Sequence, residues 1–298
     1  MSGKATQMSS ERARFGIVVG VDGSQESAAA VRWAVVEAQL TGKPITLLSA
    51  VPPPIVTWPL APSDGAVDDE LRYAETVLKE AGELVAEVAA EDPPAIRTEI
   101  VRSGAVEALV EASRSAHMVV VGSRGTGAVG RLLLGSVSSG ILHHGSGPVA
   151  VVHSQTGLAP KATEPVLLGI DGPSSYAATA LAFEEASRRG VSVLAVHVIS
   201  DIGEALSRGG EWGNAKGHGE EYVAQRLEPW KERYPEVPVR AEVEFDRPVH
   251  RLVERCAAAQ LAVVGSHGRG GFAGMLLGSV SSAVAQLAAI PVIVVRPR

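Results

Sequence analysis

Two glycine-rich stretches of the chain have the residue types and spacing that can hold phosphate groups. In the later stretch, Gly265 and Gly268 follow an apolar run, and Gly278-Ser279 begins a serine-rich segment. Glycine lacks the Cβ atom that would keep a ligand away from the backbone, so the N–H groups of such a turn can face an anion. A helix that starts at Gly278-Ser279 would add free N–H groups and a dipole that also favour negative charge. The stretch therefore predicts a phosphate site.

The same stretch occurs earlier in the chain without slippage. Gly122, Gly125 and Gly135-Ser136 stand at one constant offset from the later glycines, and the flanking Leu-Leu-Gly-Ser-Val-Ser-Ser and Pro-Val-x-Val-Val segments recur with them. A chain of 298 residues is long enough for about two domains, each with its own core. The sequence is thus a tandem repeat of one domain.

The composition narrows the class of partner. Aromatic residues make up only 4% of the chain and the net charge is −6, which argues against an aromatic or basic surface for nucleic acid. The single cysteine, Cys256, excludes a disulfide within the chain and argues against a cysteine-built metal site. No apolar run reaches the ~18 residues of a membrane span, and residues 1–14 lack the apolar core of a signal peptide. We therefore expect a soluble, cytoplasmic protein with no membrane partner.

Strands that alternate with helices are expected in both halves. Apolar runs predict strands at 15–21, 44–51, 96–100, 117–121 and 148–152, and again at 165–170, 191–198, 239–245, 261–265 and 291–295. Helical spacing separates these runs, with Ser24 as an N-cap and Gly42 and Gly190 at helix ends. Such alternation forces parallel strands and right-handed crossovers. The predicted fold class is α/β: two tandem doubly wound domains, each an open five-stranded parallel sheet with helices on both faces.

The predicted boundaries follow the same pattern. Residues 1–14 are predicted as a flexible tail, 15–153 as the first domain, 154–164 as a linker and 165–298 as the second domain, in which glycine-rich residues 200–219 form a loop. In open α/β sheets the ligand binds outside the carboxyl ends of the strands, near the point where strand order reverses. Asp22 and Asp171 follow the first strand of their domains and are therefore expected at that edge.

These features resemble the universal stress protein family, in the subgroup that binds ATP. The resemblance rests on the Gly-x-x-Gly, nine residues, Gly-Ser pattern found twice, and it covers nearly the whole chain as two family domains. It implies that Asp22 and Asp171 lie by the adenosine and that a residue ending strand two, Val51 or Val198, contacts adenine through its backbone. It also implies that the glycine loop and the Gly-Ser helix start hold the phosphates and the ribose.

The predicted binding residues form one set in each half, and each set would bind one ATP, with Mg²⁺ accompanying the nucleotide. The first set is Gly20, Asp22, Val51, Gly122, Ser123, Arg124, Gly125, Gly127, Arg131, Gly135, Ser136, Val137 and Ser138. The second set is Gly169, Asp171, Val198, Gly265, Ser266, His267, Gly268, Arg269, Gly270, Gly278, Ser279, Val280 and Ser281. The arginines and His267 would either lend charge to phosphates or be solvated loop residues.

Other motifs in the sequence are weaker. Gly125-Thr-Gly-Ala-Val-Gly130 satisfies a dinucleotide fingerprint, but it follows the fourth strand of its domain and no acidic residue stands ~20 positions further on. No P-loop motif is present. His143 and His144 are adjacent on a predicted helix and would point apart, which argues against a metal pair. Trp58 and Trp212 occupy corresponding loops and would either cover a nucleotide or only pack.

The function expected from the sequence is that of a nucleotide-responsive regulator of stress response or growth. No catalytic constellation can be placed near the glycine loops, so we expect no enzyme, with a slow ATPase or nucleotidyl-transferring enzyme as the alternative and an interaction scaffold as a third possibility. We also expect a homodimer or an intrachain pseudo-dimer paired through the fifth strands, which are apolar edges. We expect two ATP per chain. If only one site is found, the second half is expected to have lost its site, because Arg247 stands there where the first half has Gly104.

Overall fold

The computed structural model describes residues 15–53, 64–125, 134–154, 163–171, 175–200, 212–268 and 277–296. The chain divides into two compact units, residues 1–157 and 158–298, and each is described separately. In the part of the chain that the model describes, no helix combines the length and apolar character needed to cross a membrane.

The first unit is a parallel sheet of five strands with helices between them. Its elements in order are β1 (Ile17–Gly20), α1 (Gln25–Thr41), β2 (Ile45–Ala50), α2 (Asp64–Ala89), β3 (Ile96–Val101), α3 (Ala105–Ser113), β4 (Met118–Gly122), α4 (Ser136–His144) and β5 (Pro148–Val152). The strand order is β3-β2-β1-β4-β5, and every pairing within the unit is parallel. The order reverses between β1 and β4, which is therefore the switch point where a ligand is expected.

The second unit repeats this architecture. Its elements are β6 (Val166–Gly169), α5 (Ser175–Arg189), β7 (Val193–Ile199), α6 (Trp212–Arg233), β8 (Val239–Phe245), α7 (Pro248–Cys256), β9 (Leu261–Gly265), α8 (Ser279–Leu287) and β10 (Val292–Val295). The strand order is β8-β7-β6-β9-β10, again with parallel pairs throughout. The predicted α/β fold class is confirmed in both halves.

The predicted helix ends follow from local chemistry. Ser24 caps α1, because its Oγ accepts a hydrogen bond from the backbone N–H of Ser27 at 3.1 Å. Gly42 and Gly190 end α1 and α5 with φ angles of 63° and 64°, a left-handed conformation that favours glycine. The central strands are buried on both faces, as the fully buried Ile17, Val18 and Val19 of β1 illustrate.

One predicted loop is partly wrong. Residues 200–219 were expected to form a loop because of their glycines, yet α6 begins at Trp212 and passes through Gly217 and Gly219. A Cβ atom at Gly219 would lie 2.8 Å from Val243 Cγ1 of β8 and 3.2 Å from Ile199 Cδ1 of β7. This glycine therefore lets the helix approach the sheet closely, and its packing role outweighs its low helix propensity.

Candidate functional site

A cavity of about 850 Å³ lies in the first unit at the carboxyl ends of the strands. Its volume falls within the ~300–1,000 Å³ of ordinary small-molecule sites, and it lies at the switch point of the sheet. Ten of the predicted binding residues line it together: Gly20, Asp22, Val51, Gly122, Arg124, Gly125, Gly135, Ser136, Val137 and Ser138. The fold thus brings the turn after β1, the end of β2 and the glycine loop to one place.

Asp22 is held rigidly at the floor of this cavity. Its Oδ1 accepts hydrogen bonds from the N–H of Ser24 at 3.0 Å and from the Ser24 hydroxyl at 2.6 Å. Its Oδ2 faces the glycine loop, where a Cβ atom on Gly125 would lie only 2.5 Å away. Asp22 itself therefore requires a glycine at position 125. The sequence had assigned the missing Cβ to the approach of a ligand; the structure shows that the neighbouring carboxylate already occupies this space.

Backbone and hydroxyl hydrogen bonds join the glycine loop to α4. Gly135 N–H donates to Ser123 O at 2.8 Å, and the Ser138 hydroxyl donates to Gly122 O at 2.6 Å. The N–H groups in the first turn of a helix have no intrahelical partner. Gly135, the N-cap of α4, has no side chain that could accept a hydrogen bond from them. Ser123 is 2% exposed and does not line the cavity, because its N–H donates to Val152 O in the sheet. Ser123 and Ser138 thus fix the loop to the sheet and the helix.

Arg124 is the cation among the described residues of the cavity wall. Its guanidinium lies 3.0 Å from Glu26 Oε1, and the two side chains are only 20% and 17% exposed. Ser154 also donates to Glu26 Oε1, at 3.3 Å. Gly122 allows this arrangement, because a Cβ atom there would lie 2.6 Å from the backbone carbon of Glu26. A partly buried pair of this kind is screened less than a surface pair and keeps the arginine in one orientation.

The cavity lining also includes residues that the sequence did not single out. Asp69, Glu70 and Tyr73 of α2 line the cavity together with Ser49 of β2. The Tyr73 hydroxyl donates a hydrogen bond to Asp22 O at 3.1 Å. The signal for them was in the sequence, since positions 70, 73 and 74 share one face of a helix whose apolar residue Ala74 had been recognised.

The second unit keeps the same loop geometry. Gly278 N–H donates to Ser266 O at 2.7 Å, and the Ser281 hydroxyl donates to Gly265 O at 2.6 Å. Ser266 N–H donates to Val295 O of the sheet at 2.9 Å. A Cβ atom on Gly268 would collide with Asp171 Oδ2, as one on Gly125 would with Asp22. The first turn of α8, which contains Ser279 and Val280, therefore has the same relation to its loop as the first turn of α4.

The walls of the second unit differ at β7. The pairing of Gly20 with Leu48, and of Gly169 with Val196, makes Val198 the counterpart of Ala50, whereas Val51 corresponds to Ile199. The two predicted adenine contacts, Val51 and Val198, are therefore not equivalent, because β7 runs one residue further than the sequence indicated.

By the same register, the position of Ser49 is taken in the second unit by His197. Its Nδ1 lies 2.8 Å from Ile170 O, and its ring lies tilted against Tyr222 with centroids 5.1 Å apart. His267, at the place of Arg124, has its Nδ1 2.9 Å from Ser266 Oγ. The second unit thus has an imidazole in place of the serine of β2 and another imidazole in place of the guanidinium of the glycine loop.

Several predicted residues fall outside this description or away from the site. Gly127, Arg131, Arg269, Gly270 and Trp58 lie outside the described residues, and so does the side chain of Trp212. The rings of His143 and His144 lie 6.2 Å apart on α4, and among the described residues no group of three or more His, Cys, Asp or Glu side chains could hold a metal ion. Cys256 is buried on α7, and burial raises the pKa of its thiol to about 12.

The fold and the cavity define a tandem α/β protein with a small-molecule site at the switch point of a parallel sheet. A model described as the universal stress protein family matches residues 16–153 and 163–296. The chain is 50% identical over 287 residues to a universal stress protein of Mycolicibacterium smegmatis (strain ATCC 700084 / mc(2)155), which covers 95% of this chain and 98% of the relative. It is 46% identical over 296 residues to universal stress protein Rv2005c of Mycobacterium tuberculosis (strain ATCC 25618 / H37Rv), with 97% and 99% covered.

A solved structure shares the fold over the same length. The crystal structure of a universal stress protein from Archaeoglobus fulgidus DSM 4304 superposes with a TM-score of 0.70 at 20% identity, covering 94% of this chain and 98% of that one. The chain belongs to the universal stress protein family and consists of two tandem family domains.

Proposed function

We propose that this protein binds adenine nucleotides, with ATP as its ligand, and acts in the cytoplasm as a nucleotide-responsive regulator of stress response or growth rather than as an enzyme. The observation that supports this most is that the first unit's cavity is lined by two chemically different kinds of group. Asp22, Asp69 and Glu70 contribute carboxylates, while Arg124 and the first turn of α4 contribute groups that attract anions. This polarity suits a nucleotide better than a uniformly charged metabolite.

Each kind of group fits one part of a nucleotide. Carboxylates accept hydrogen bonds from ribose hydroxyls and from the amino group of adenine, but they repel phosphate. The guanidinium of Arg124 and the free N–H groups at the start of α4 attract phosphate. We infer that the base and the ribose occupy the side of α2, that the phosphates point toward the glycine loop and α4, and that Asp22 lies between these two parts.

Magnesium fits this site only together with the nucleotide. Mg²⁺ usually keeps several waters and is bound through one or two carboxylates plus the phosphates of its substrate. Within the described part of the chain no cluster of acidic and histidine side chains could hold the ion by itself. Asp22 Oδ2 faces the glycine loop, and Mg²⁺ would neutralise phosphate charge beside it. We therefore expect ATP affinity to fall when EDTA removes the metal.

The second unit is proposed to hold a second nucleotide. Its loop repeats the hydrogen bonds of the first, with Gly278 N–H on Ser266 O and Ser281 on Gly265 O. Asp171 again stands against the loop glycine. The proposal is therefore two ATP per chain, with the affinity of the second site set by its different walls.

Calorimetric titration with Mg²⁺-ATP tests this function directly. We expect two sites per chain, a raised melting temperature, and adenine nucleotide in the mass spectrum of the supernatant of denatured protein. Ligand at ~100 times its dissociation constant adds ~2.7 kcal/mol per site to stability. Failure to bind any nucleotide would exclude the proposal. ADP formation well above ~1 per minute per site would instead identify an enzyme, since typical enzymes turn over ~10 times per second.

A further inference from the structure

Tyr73 is an unusual side chain at the edge of the first unit's cavity. It is one of four tyrosines in the chain, it lines the cavity from α2, and it is 55% exposed. Aromatic side chains contribute most when their faces are buried against a partner. Among the described residues no other ring lies against Tyr73, and more than half of its surface is exposed.

The position of the Tyr73 ring is fixed before any ligand binds. Its hydroxyl donates to Asp22 O at 3.1 Å. The neighbouring Gly23 has a φ of 80°, and a Cβ atom there would lie 2.7 Å from Tyr73 Oη and 3.1 Å from Val77 Cγ2. Glycine is therefore needed at position 23 both for the backbone conformation and for the approach of the tyrosine. An anchored ring of this kind loses little entropy when a ligand stacks on it.

In the second unit, a tyrosine ring is already in contact with other side chains of the protein. The ring of Tyr222 on α6 makes a tilted contact with that of His197, with centroids 5.1 Å apart, and Arg226 Cζ lies 4.4 Å from the centroid of the tyrosine ring. Both contacts are made by the protein itself. Tyr73 and Tyr222 both lie on the helix that follows the second strand of their units.

We propose that Tyr73 is a specificity-determining residue that stacks on the nucleobase and makes the first unit's site prefer purine over pyrimidine nucleotides. This inference rests on the proposed nucleotide binding. The groups of the cavity that attract phosphate, Arg124 and the first turn of α4, come from elements other than α2. Asp69 on α2 is paired with Arg72 at 2.9 Å, so the start of α2 offers phosphate no comparable partner and leaves the base to approach Tyr73. A purine presents a larger aromatic face than a pyrimidine, so stacking discriminates between the two.

The test compares ATP and CTP binding by calorimetry in full-length wild type, Tyr73→Phe and Tyr73→Ala, all with Mg²⁺. Loss of one base–aromatic stack by alanine substitution corresponds to about a 5- to 150-fold loss of affinity. We expect Tyr73→Ala to weaken ATP binding at one site by about ten-fold or more and CTP binding by clearly less. Tyr73→Phe keeps the ring and should retain most of the ATP affinity and the preference for ATP.

The controls separate this inference from the proposed function. Tyr176→Ala removes a tyrosine of α5 that is 68% exposed in the second unit and should change neither ligand's affinity. Circular dichroism and the melting temperature without ligand report whether Tyr73→Ala still folds. If wild type binds no nucleotide, the proposed function fails. If wild type binds ATP and Tyr73→Ala reduces ATP and CTP equally, or Tyr73→Phe is as weak as Tyr73→Ala, stacking by Tyr73 is refuted and nucleotide binding stands.

Discussion

The two halves of this protein agree in their glycine loops and differ in the walls around them. In each loop a glycine N–H donates to a serine carbonyl, at 2.8 Å for Gly135 and 2.7 Å for Gly278. In each, a serine hydroxyl donates at 2.6 Å to the last glycine of the strand. The wall at the end of the second strand has instead changed from Ser49 to His197, and the charged position from Arg124 to His267.

The physical reason for this difference lies in what each part of the site is made of. The loop is made of backbone hydrogen bonds and close approaches that only glycine and serine permit, so a substitution there disturbs the strand ends themselves. The walls are made of side chains at the cavity surface, which can change without loss of fold stability. Duplicated sites built in this way should keep the same phosphate end and differ in ligand preference.

The largest expected effect comes from blocking one loop at a time. Gly125→Val places a Cβ atom 2.5 Å from Asp22 Oδ2, so the carboxylate and the loop must move apart. Gly268→Val does the same to Asp171 in the second unit. Each variant should lose one of the two ATP sites and the corresponding ~2.7 kcal/mol of ligand stabilisation, seen as a smaller shift in melting temperature at ~100 times the dissociation constant.

Gly82→Ala is the matched control for these glycine variants. Gly82 lies within α2, and no atom lies within 4 Å of a Cβ atom built there. Alanine is the better helix former, so this variant should be as stable as wild type or slightly more stable and should bind two ATP. Full ligand shifts in both valine variants would mean that the loops do not form the nucleotide sites.

The sequence predicted the backbone of the site better than its walls. Glycine spacing, strand ends and the family resemblance together identified ten residues that the fold does bring to one cavity, because the loop must follow a strand of fixed length. Tyr73, Asp69 and Glu70 were missed, because they come from the start of a helix whose orientation over the sheet depends on tertiary packing. Gly219 misled the prediction for a similar reason, since only the packed structure shows whether a glycine ends a helix or allows close contact.

Two substitutions around Arg124 should change ATP affinity by less than the loop variants do, and in opposite directions. Arg124→Gln should weaken ATP binding in the first unit by about three- to ten-fold, the order expected for one partly exposed charge-assisted hydrogen bond. Glu26→Gln removes the carboxylate 3.0 Å from the guanidinium and should strengthen ATP binding, because Arg124 no longer has to be shared. His267 Nδ1 already lies 2.9 Å from Ser266 Oγ, and an imidazole offers fewer donors than a guanidinium, so His267→Gln should change the second site less.

Titrations at low and high salt check this assignment. The advantage of Glu26→Gln over wild type should shrink as salt screens the phosphate charge. Equal ATP affinity in wild type, Arg124→Gln and Glu26→Gln would show that Arg124 does not face the phosphates.

The smallest expected effect is on stability and comes from a substitution at Cys256 of α7. This residue corresponds to Ser113 of α3. The Ser113 hydroxyl donates to Val110 O at 2.6 Å and accepts the N–H of Ser146 at 2.9 Å. The corresponding backbone groups near Cys256 belong to Val253 and Ala289. In the first unit the hydroxyl at this position is hydrogen-bonded to such groups. We therefore expect Cys256→Ser to lower the free energy of unfolding by less than about 1 kcal/mol at pH 7.

The same variant should change how stability depends on pH. Burial raises the pKa of the Cys256 thiol from 9.0 to about 12, so the folded protein keeps the thiol protonated where the unfolded chain loses its proton. The thiol's contribution to stability is complete below about pH 9 and is lost as the pH rises toward 12. Between pH 7 and pH 10 wild type should lose about 1.4 kcal/mol more free energy of unfolding than Cys256→Ser, measured by urea denaturation at both pH values. All other titrating groups are shared by the two proteins and cancel in this difference, so identical losses would mean that the thiol is accessible to water in the folded state.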